Sequence, residues 1–508
     1  MSPTMREQAF SNAWLMVTVV FIVHLGVWLF AWSDKALYYF LMLFIWRYAR
    51  FIINFYAFFL YEPAAPPADK KTLTYTPSKD VTVILPTVDP EGDDFLECIL
   101  TCAQNSPACI IIVTAGNELL AKTQSAVNPI RAQFPSVEFI VACTQVASKR
   151  RQVARAIPMV KTSIIVLLDD HVFWKPTFLP SLLLPFEDPT VGIVGTNKSV
   201  RRVPGLSPWG RFWNHLGAIY LIRHNFEIRA TNTIDGGVFV VSARTCGLRA
   251  SIMQDPAFLH AYTHDTCLFG LVGPLNCSDD NFNTRWCVAH GWRIKIQYTP
   301  DSEIETVVGA TEPIMKKFLG QCRRWARTTW RSNATSLLTD STVWATQPYT
   351  VYSVFLTSFT NFALITDSLL IHLLRSSECF GTRGLVYLIG WIIVTKMVKV
   401  FPYYWKYPRD VWMFPGYLAF AYAHSFIKFW AMLTWWDAHW SGRNLGAIKV
   451  AGLSLGRKER RKTVTTIVNL VEVLGRIDKA IPSLCRTIEV EAEKATGTSL
   501  LLPLGTVA

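Results

Sequence analysis

A chain of 508 residues that is 51% hydrophobic and only 17% charged departs from ordinary soluble domains, where about a quarter of residues are charged. That argues against a purely soluble protein and for membrane segments, with length left for further domains. The net charge of +13 asks for anionic partners. With no zinc-finger spacing and many arginines beside apolar segments, a nucleotide diphosphate and a membrane surface fit better than nucleic acid, which is set aside.

Residues 13–32 are apolar apart from Thr18 and His24, about the length of a bilayer span. No small-residue cleavage site follows, and a second apolar stretch begins at once, so this reads as a retained span and not a signal peptide. The second stretch, 36–60, is interrupted by Arg47 and Arg50. Either these arginines are functional intramembrane charges or they snorkel to the interface. The Pro/Ala linker "YEPAAPPADK" closes this part.

Next come short β-branched runs alternating with helical patterns. Strands are predicted at 81–86, 109–114, 137–142, 163–168, 191–196, 237–242 and 293–298, and helices at 91–104, 118–134 and 148–159. This is the pattern of an α/β domain with a mostly parallel sheet. A basic, tryptophan-bearing segment runs from Thr311 to Arg331, followed by apolar stretches at 348–374, 384–400 and 411–436. The last holds Pro415, Gly416, His424 and Lys428 and reads as interfacial. That reading leaves an even number of spans between the α/β domain and "HWSGRN" (439–444), returning the latter to the same side. Lys396, Lys399, Lys406 and Arg409 suit a cytosolic position. The tail run "RKERRK" is a solvated charge run or a loose contact with anionic lipid. Eleven scattered cysteines without a Cys-x-x-Cys pair fit a reducing compartment. A cytosolic domain requires the sequons at Asn197, Asn276 and Asn333 to be unused.

Three short motifs carry chemistry. "SIIVLLDDHVFW" ends an apolar strand in Asp169, Asp170 and His171. Ligands of open α/β sheets bind at such strand ends. If the strand persists, Asp169 and His171 face one way and Asp170 the other; carboxylate plus imidazole can ligate Mn²⁺ or a similar ion, or the acidic pair is an ordinary strand-end cap. In "CSDDNFNTRW", Asp279 and Asp280 open a helical pattern, where the dipole favours the carboxylate anion. The pair is either a structural N-cap or supplies a general base. "GQCRRWARTTWR" sets Arg323, Arg324, Arg327 and Arg331 beside Trp325 and Trp330. Guanidiniums match phosphate oxygens, tryptophan offers a stacking face for sugar, and an interface helix with arginines at headgroup level fits as well.

In their order and with flanking spans, these motifs resemble the membrane-embedded processive family-2 glycosyltransferases, the hyaluronan, chitin and cellulose synthases, and are most similar to fungal hyaluronan-synthase-like polysaccharide synthases. The resemblance covers about residues 81–443 and rests on "DDH", "SDD", "QCRRW" and "WSGR". It implies a cytosolic GT-A-type α/β domain (81–310) inserted between two N-terminal spans (1–62, with a 63–80 linker) and C-terminal transmembrane and interfacial helices (348–440). Amphipathic interface helices would lie at 311–347 and a basic tail at 441–508. It implies transfer from a UDP-sugar to a growing polysaccharide, with Mn²⁺ or Mg²⁺ and a lipid bilayer as partners.

By the same resemblance Asp280, beside Asp279, is the catalytic base. Asp169 and His171 take the Asp-x-Asp positions for nucleotide and metal, with Asp170 the competing ligand. Gln321, Arg324 and Trp325 hold diphosphate and acceptor sugar, and Trp440 and Arg443 close over the nucleotide. Lys149 matches a lysine on the donor side, and Asp235 and Gly236 form the acceptor floor. Two departures stand out. His171 replaces an aspartate, and "TAGN" (114–117) lacks the aspartate of the nucleotide loop, part of whose uridine contact Asp89 can take over.

Overall fold

Runs of branched aliphatic residues make good strands, and here they build the central sheet of the computed structural model, which describes residues 2–67 and 73–438. In chain order the strands are β1 (Val81–Pro86), β2 (Cys109–Ala115), β3 (Glu138–Thr144), β4 (Ile164–Leu168), β5 (Val172–Phe173), β6 (Val191–Thr196), β7 (Lys198–Val200), β8 (Thr245–Arg249), β9 (Arg293–Gln297) and β10 (Ile304–Thr306). Seven of them form one sheet in the order β3-β2-β1-β4-β8-β6-β9, and β5, β10 and β7 form a small second sheet. Every residue of β1, β2 and β4 is buried, as expected of a sheet covered on both faces.

Two expectations need correcting. The sheet is mixed, because β8 runs antiparallel to both β4 and β6. The segment 237–242 is not a strand. Its valines 238, 240 and 241 are buried, which produced the strand-like pattern, but side chains satisfy its amides. Gly237 N–H donates to Asp235 Oδ1 at 3.0 Å and Val241 N–H to Thr284 Oγ1 at 2.9 Å. The ladder place falls to β8, where Gly247 lies under the Phe186 ring.

The longest helix of the α/β part, Pro208–Asp235, has Ser207 as N-cap, Pro208 in its first turn and left-handed Gly236 at its end, the usual punctuation of a helix. The Ile314–Ala334 helix buries Phe318, Cys322 and Ala326, which share a stripe by their spacing of four.

Two N-terminal helices, α1 (Pro3–Ala31) and α2 (Lys35–Phe59), are long and apolar enough to cross a membrane. Beyond the α/β part the stretch expected as one span is broken: Pro348–Thr360 and Ala363–Ser376 meet at 87°. Carbonyls freed at a break in apolar surroundings need donors, and Lys428 Nζ supplies them to Ser358 O at 3.0 Å and Asn361 O at 2.8 Å. Arg47 pairs with Asp367 at 2.6 Å and donates to Asn361 Oδ1 at 2.8 Å. Arg50 donates to Ser353 O at 2.9 Å and Thr357 Oγ1 at 2.7 Å. Both guanidiniums therefore turn inward and do not snorkel. The helices Thr382–Val398 and Phe414–Met432 complete the described chain.

Candidate active site

The N-terminus of the Lys149–Ala156 helix organises the site. Ser148 caps it and hydrogen-bonds Asn276. Arg150, 2% exposed, donates to Asp265 Oδ2 at 2.8 Å and to the carbonyls of Cys277 at 3.0 Å and Ser278 at 3.1 Å. It thereby clamps the turn before Asp279. Ser278 has φ +62°, a left-handed conformation that costs a non-glycine residue and persists only where its surroundings impose it. Asp279 and Asp280 then open the Asp279–Ala289 helix.

Lys149 bridges two motifs. Its Nζ lies 2.7 Å from Asp169 Oδ1 and 3.1 Å from Asp279 Oδ2, the second an ion contact without hydrogen-bond geometry. Burial disfavours the ammonium, but Asp169 and Asp279 outweigh it and hold Lys149 well above the usual lysine range. Asp169 feels burial too, yet Lys149 and His171 bring it below the ordinary carboxylate value. Asp280 goes the other way: burial and the neighbouring Asp279 raise it, against the pull of Lys149 and its bonds from Asn281.

β4 ends at Leu168, so the alternation assumed for Asp169 and His171 does not continue. Instead Asp170 and His171 meet, Oδ1 to Nδ1 at 3.1 Å, while Thr87 Oγ1 donates to Asp170 Oδ2 at 2.8 Å. Among the described residues no three His, Cys, Asp or Glu side chains converge as an ion cage. What the donor set offers is one imidazole whose Nδ1 is engaged by a buried carboxylate, the arrangement that leaves Nε2 oriented as a ligand. Asp94 lies within electrostatic reach of both groups; burial raises it, partly opposed by His171. One imidazole with its carboxylate partner would leave most of a divalent ion's ligands to a bound substrate.

Arg324 is in electrostatic range of Asp280, Asp169 and Asp279, and burial lowers its guanidinium. Trp325 is flanked by the Tyr220 ring, centroids 5.0 Å apart, and by the Arg244 guanidinium 5.5 Å from its centre. Gln321 lies one turn earlier on the same helix, and Asp89 is exposed just beyond β1. Asp235 is employed elsewhere. Its oxygens accept from Thr350 N–H at 2.8 Å, Thr350 Oγ1 at 2.6 Å and Gly237 N–H, and Gly236 ends its helix, so both secure structure. Trp440 and Arg443 lie outside the described residues.

Thr87, Arg150 and Arg244 were missed from sequence. Arg244 is held at the site by its backbone carbonyl, which accepts from Asp169 N–H at 2.9 Å. Placing a strand at 237–242 hid the turn that presents it.

Residues 80–328 match the family model described as glycosyltransferase like family 2. A type 2 glycosyltransferase of Zymoseptoria tritici is 37% identical over 411 residues, which cover 80% of this chain and 83% of that protein. This chain belongs to the type 2 glycosyltransferases. The glycosyltransferase is also 32% identical over 261 residues to the NDP-glycosyltransferase ltbB of Aspergillus luteorubrus, covering 50% of this chain and 60% of that one. A solved mannosyltransferase of Pyrobaculum calidifontis, in complex with GDP-Man and Mn²⁺, aligns over 77% of this chain and 97% of its own with TM-score 0.47 and 15% identity. Family membership and the mixed α/β sheet agree with the GT-A-like fold expected from the motifs. Membership also implies a nucleotide-sugar donor and an acceptor.

Proposed function

We propose that this glycosyltransferase inverts the anomeric centre of a UDP-sugar while adding it to a growing polysaccharide, and passes the product among its membrane helices. The observation that carries the reading is geometric: Lys149 Nζ lies 2.7 Å from Asp169 Oδ1 and 3.1 Å from Asp279 Oδ2, so the two acidic motifs meet at one ammonium, with Asp169 held low by it and Asp280 raised by burial and Asp279. Environments that separate two acids in this way assign different tasks. Asp169 stays ionised and fixes Lys149 at the donor edge. Asp280, nearer to working pH, takes the proton of the acceptor hydroxyl. The acceptor oxygen bonds to the anomeric carbon as the bond to the leaving diphosphate breaks.

His171, oriented by Asp170, is the side chain that would hold a divalent ion; when bound, the ion neutralises charge on the diphosphate. Arg324 and Arg244 supply positive charge from the protein. Trp325 gives the acceptor ring a stacking surface. Purified protein supplied with single and paired UDP- and GDP-sugars, with Mn²⁺ or Mg²⁺, tests the reading. Long sugar chains with release of UDP support it. One sugar transferred to a lipid, a requirement for GDP-sugars, or no turnover contradicts it.

A further inference from the structure

A cavity of about 340 Å³ lies apart from the transfer site, where the loop before the Pro208–Asp235 helix meets the segment that leads into the Phe414–Met432 helix. Two guanidiniums line it, Arg202 and Arg211, with one carboxylate, Asp410. That carboxylate is already engaged: the Tyr403 hydroxyl donates to its Oδ2 at 2.6 Å, and Arg202 pairs with its Oδ1 at 3.2 Å. Arg202 also lies over the Tyr407 ring, 4.5 Å from its centre, which fixes the guanidinium. Arg211 is exposed, and among the described residues it belongs to no ion pair. The lining therefore carries one positive charge in excess. His215 lines the cavity as well and is buried. Its Nε2 stands 3.0 Å from the Tyr404 hydroxyl, which has no other partner among the described residues. The hydroxyl therefore donates, and the ring proton sits on Nδ1, which finds no acceptor. Burial pushes His215 down to about 4, so the ring stays neutral with that single N–H.

A buried donor without an acceptor is rare in folded proteins, and here it accompanies an uncommitted guanidinium. Both ask for an anionic oxygen group. The surroundings say how that group arrives. Trp412 lines the cavity, and Trp209, Phe401 and Trp405 are exposed in the same two segments, each with more than half of its surface free. Lys406 and Arg409 are exposed among them. Large apolar side chains left open in one region mark a contact surface. Tryptophan mixed with Lys and Arg is the composition of the membrane–water boundary. A small soluble anion would make no use of these rings, whereas a phospholipid brings acyl chains to them.

We propose that this cavity is a binding site for the headgroup of an anionic phospholipid, with Arg202 and Arg211 on the phosphate, His215 Nδ1 on a headgroup oxygen and the exposed tryptophans beside the acyl chains. Guanidiniums match phosphate oxygens in charge and geometry. A lipid seated there bridges the loop before the Pro208–Asp235 helix to the segment before the Phe414–Met432 helix, and so ties the α/β part to the membrane surface. The site goes beyond sugar transfer and is independent of which sugar is moved and onto what.

The test reads lipid binding, not turnover. Full-length protein in detergent is titrated with pyrene-labelled phosphatidylglycerol and with pyrene-labelled phosphatidylcholine, followed by energy transfer from tryptophan. The anionic lipid should bind about tenfold more tightly. Arg211→Gln should cut that preference to about twofold, since one cation near an anionic lipid is worth about fivefold in affinity. Arg409→Gln removes an exposed cation of the same segment that does not line the cavity, and it should keep the preference. UDP binding, measured in parallel, reports that both variants are folded. Equal affinity for the two lipids, or an undiminished preference in folded Arg211→Gln protein, overturns the proposal. An equal loss in the two variants also overturns it, in favour of diffuse surface charge. Displacement of the labelled lipid by inorganic phosphate at the same concentration as by unlabelled phosphatidylglycerol overturns it in favour of a free-phosphate site.

Discussion

Asp280 and Lys149 show how the site uses charge. Lys149 is drawn between Asp169 and Asp279, so much of its charge is spent before any donor arrives. Asp280, without such a partner, is raised by burial and by Asp279. A base works only when deprotonated, so a raised value moves the acid limb of activity upward. Transfer should fall as pH drops through a midpoint above the ordinary aspartate value of about 3.9. Asp279→Asn removes one cause of the rise and should shift that midpoint downward in a kcat/KM profile; an unmoved midpoint would dissociate the limb from Asp280. At this scale the sequence was partly readable. "DDH" and "SDD" mark the site, but which oxygen meets which nitrogen depends on where β4 stops, and that is decided by tertiary contacts with Thr87 and Arg244.

Among the elements, strands with long aliphatic runs were legible because their burial is continuous, as in β1, β2 and β4. β5, β7 and β10 have two or three residues each, too few for any period to show. The valine-rich 237–242 carries the pattern of a strand, but its amides end on side chains and β8 takes the place in the ladder. The break at Asn361–Phe362 has no proline to announce it. Its carbonyls accept from Lys428, so Lys428→Met leaves two half-buried acceptors without that donor, at up to about 1–3 kcal/mol each. Thermal unfolding in detergent should show a clear loss of stability for this variant, and a wild-type midpoint would mean that the break is satisfied otherwise.

For the whole molecule, the contacts at the two ends of α2 set how the helices run. Asp34, in the turn between α1 and α2, accepts from Glu378 N–H at 2.7 Å. The turn between Ala363–Ser376 and Thr382–Val398 therefore sits at the α1–α2 turn, at the opposite end of α2 from Tyr61, which bonds β9 through Ile296 O. The Ala363–Ser376 and Thr382–Val398 helices thus form a hairpin whose turn lies at the far end of α2. Of the three sequons, Asn197 and Asn333 are buried and Asn276 is exposed. Cys379 is exposed in that distal turn. In sealed microsomes, whose cytosolic face is outward, an impermeant maleimide should label it only after the vesicles are opened; labelling of sealed vesicles would place both turns on the cytosolic side and reject the topology.

The central claim is that Asp280 is the base of sugar transfer while the donor is held by other groups. Comparing Asp280→Asn with the unaltered protein, for both UDP binding and sugar transfer, tests it most directly. UDP affinity should be unchanged within about twofold and transfer reduced by about 10²-fold or more, the usual size of a general-base contribution. Transfer retained at the original rate in the Asp280→Asn protein would contradict it.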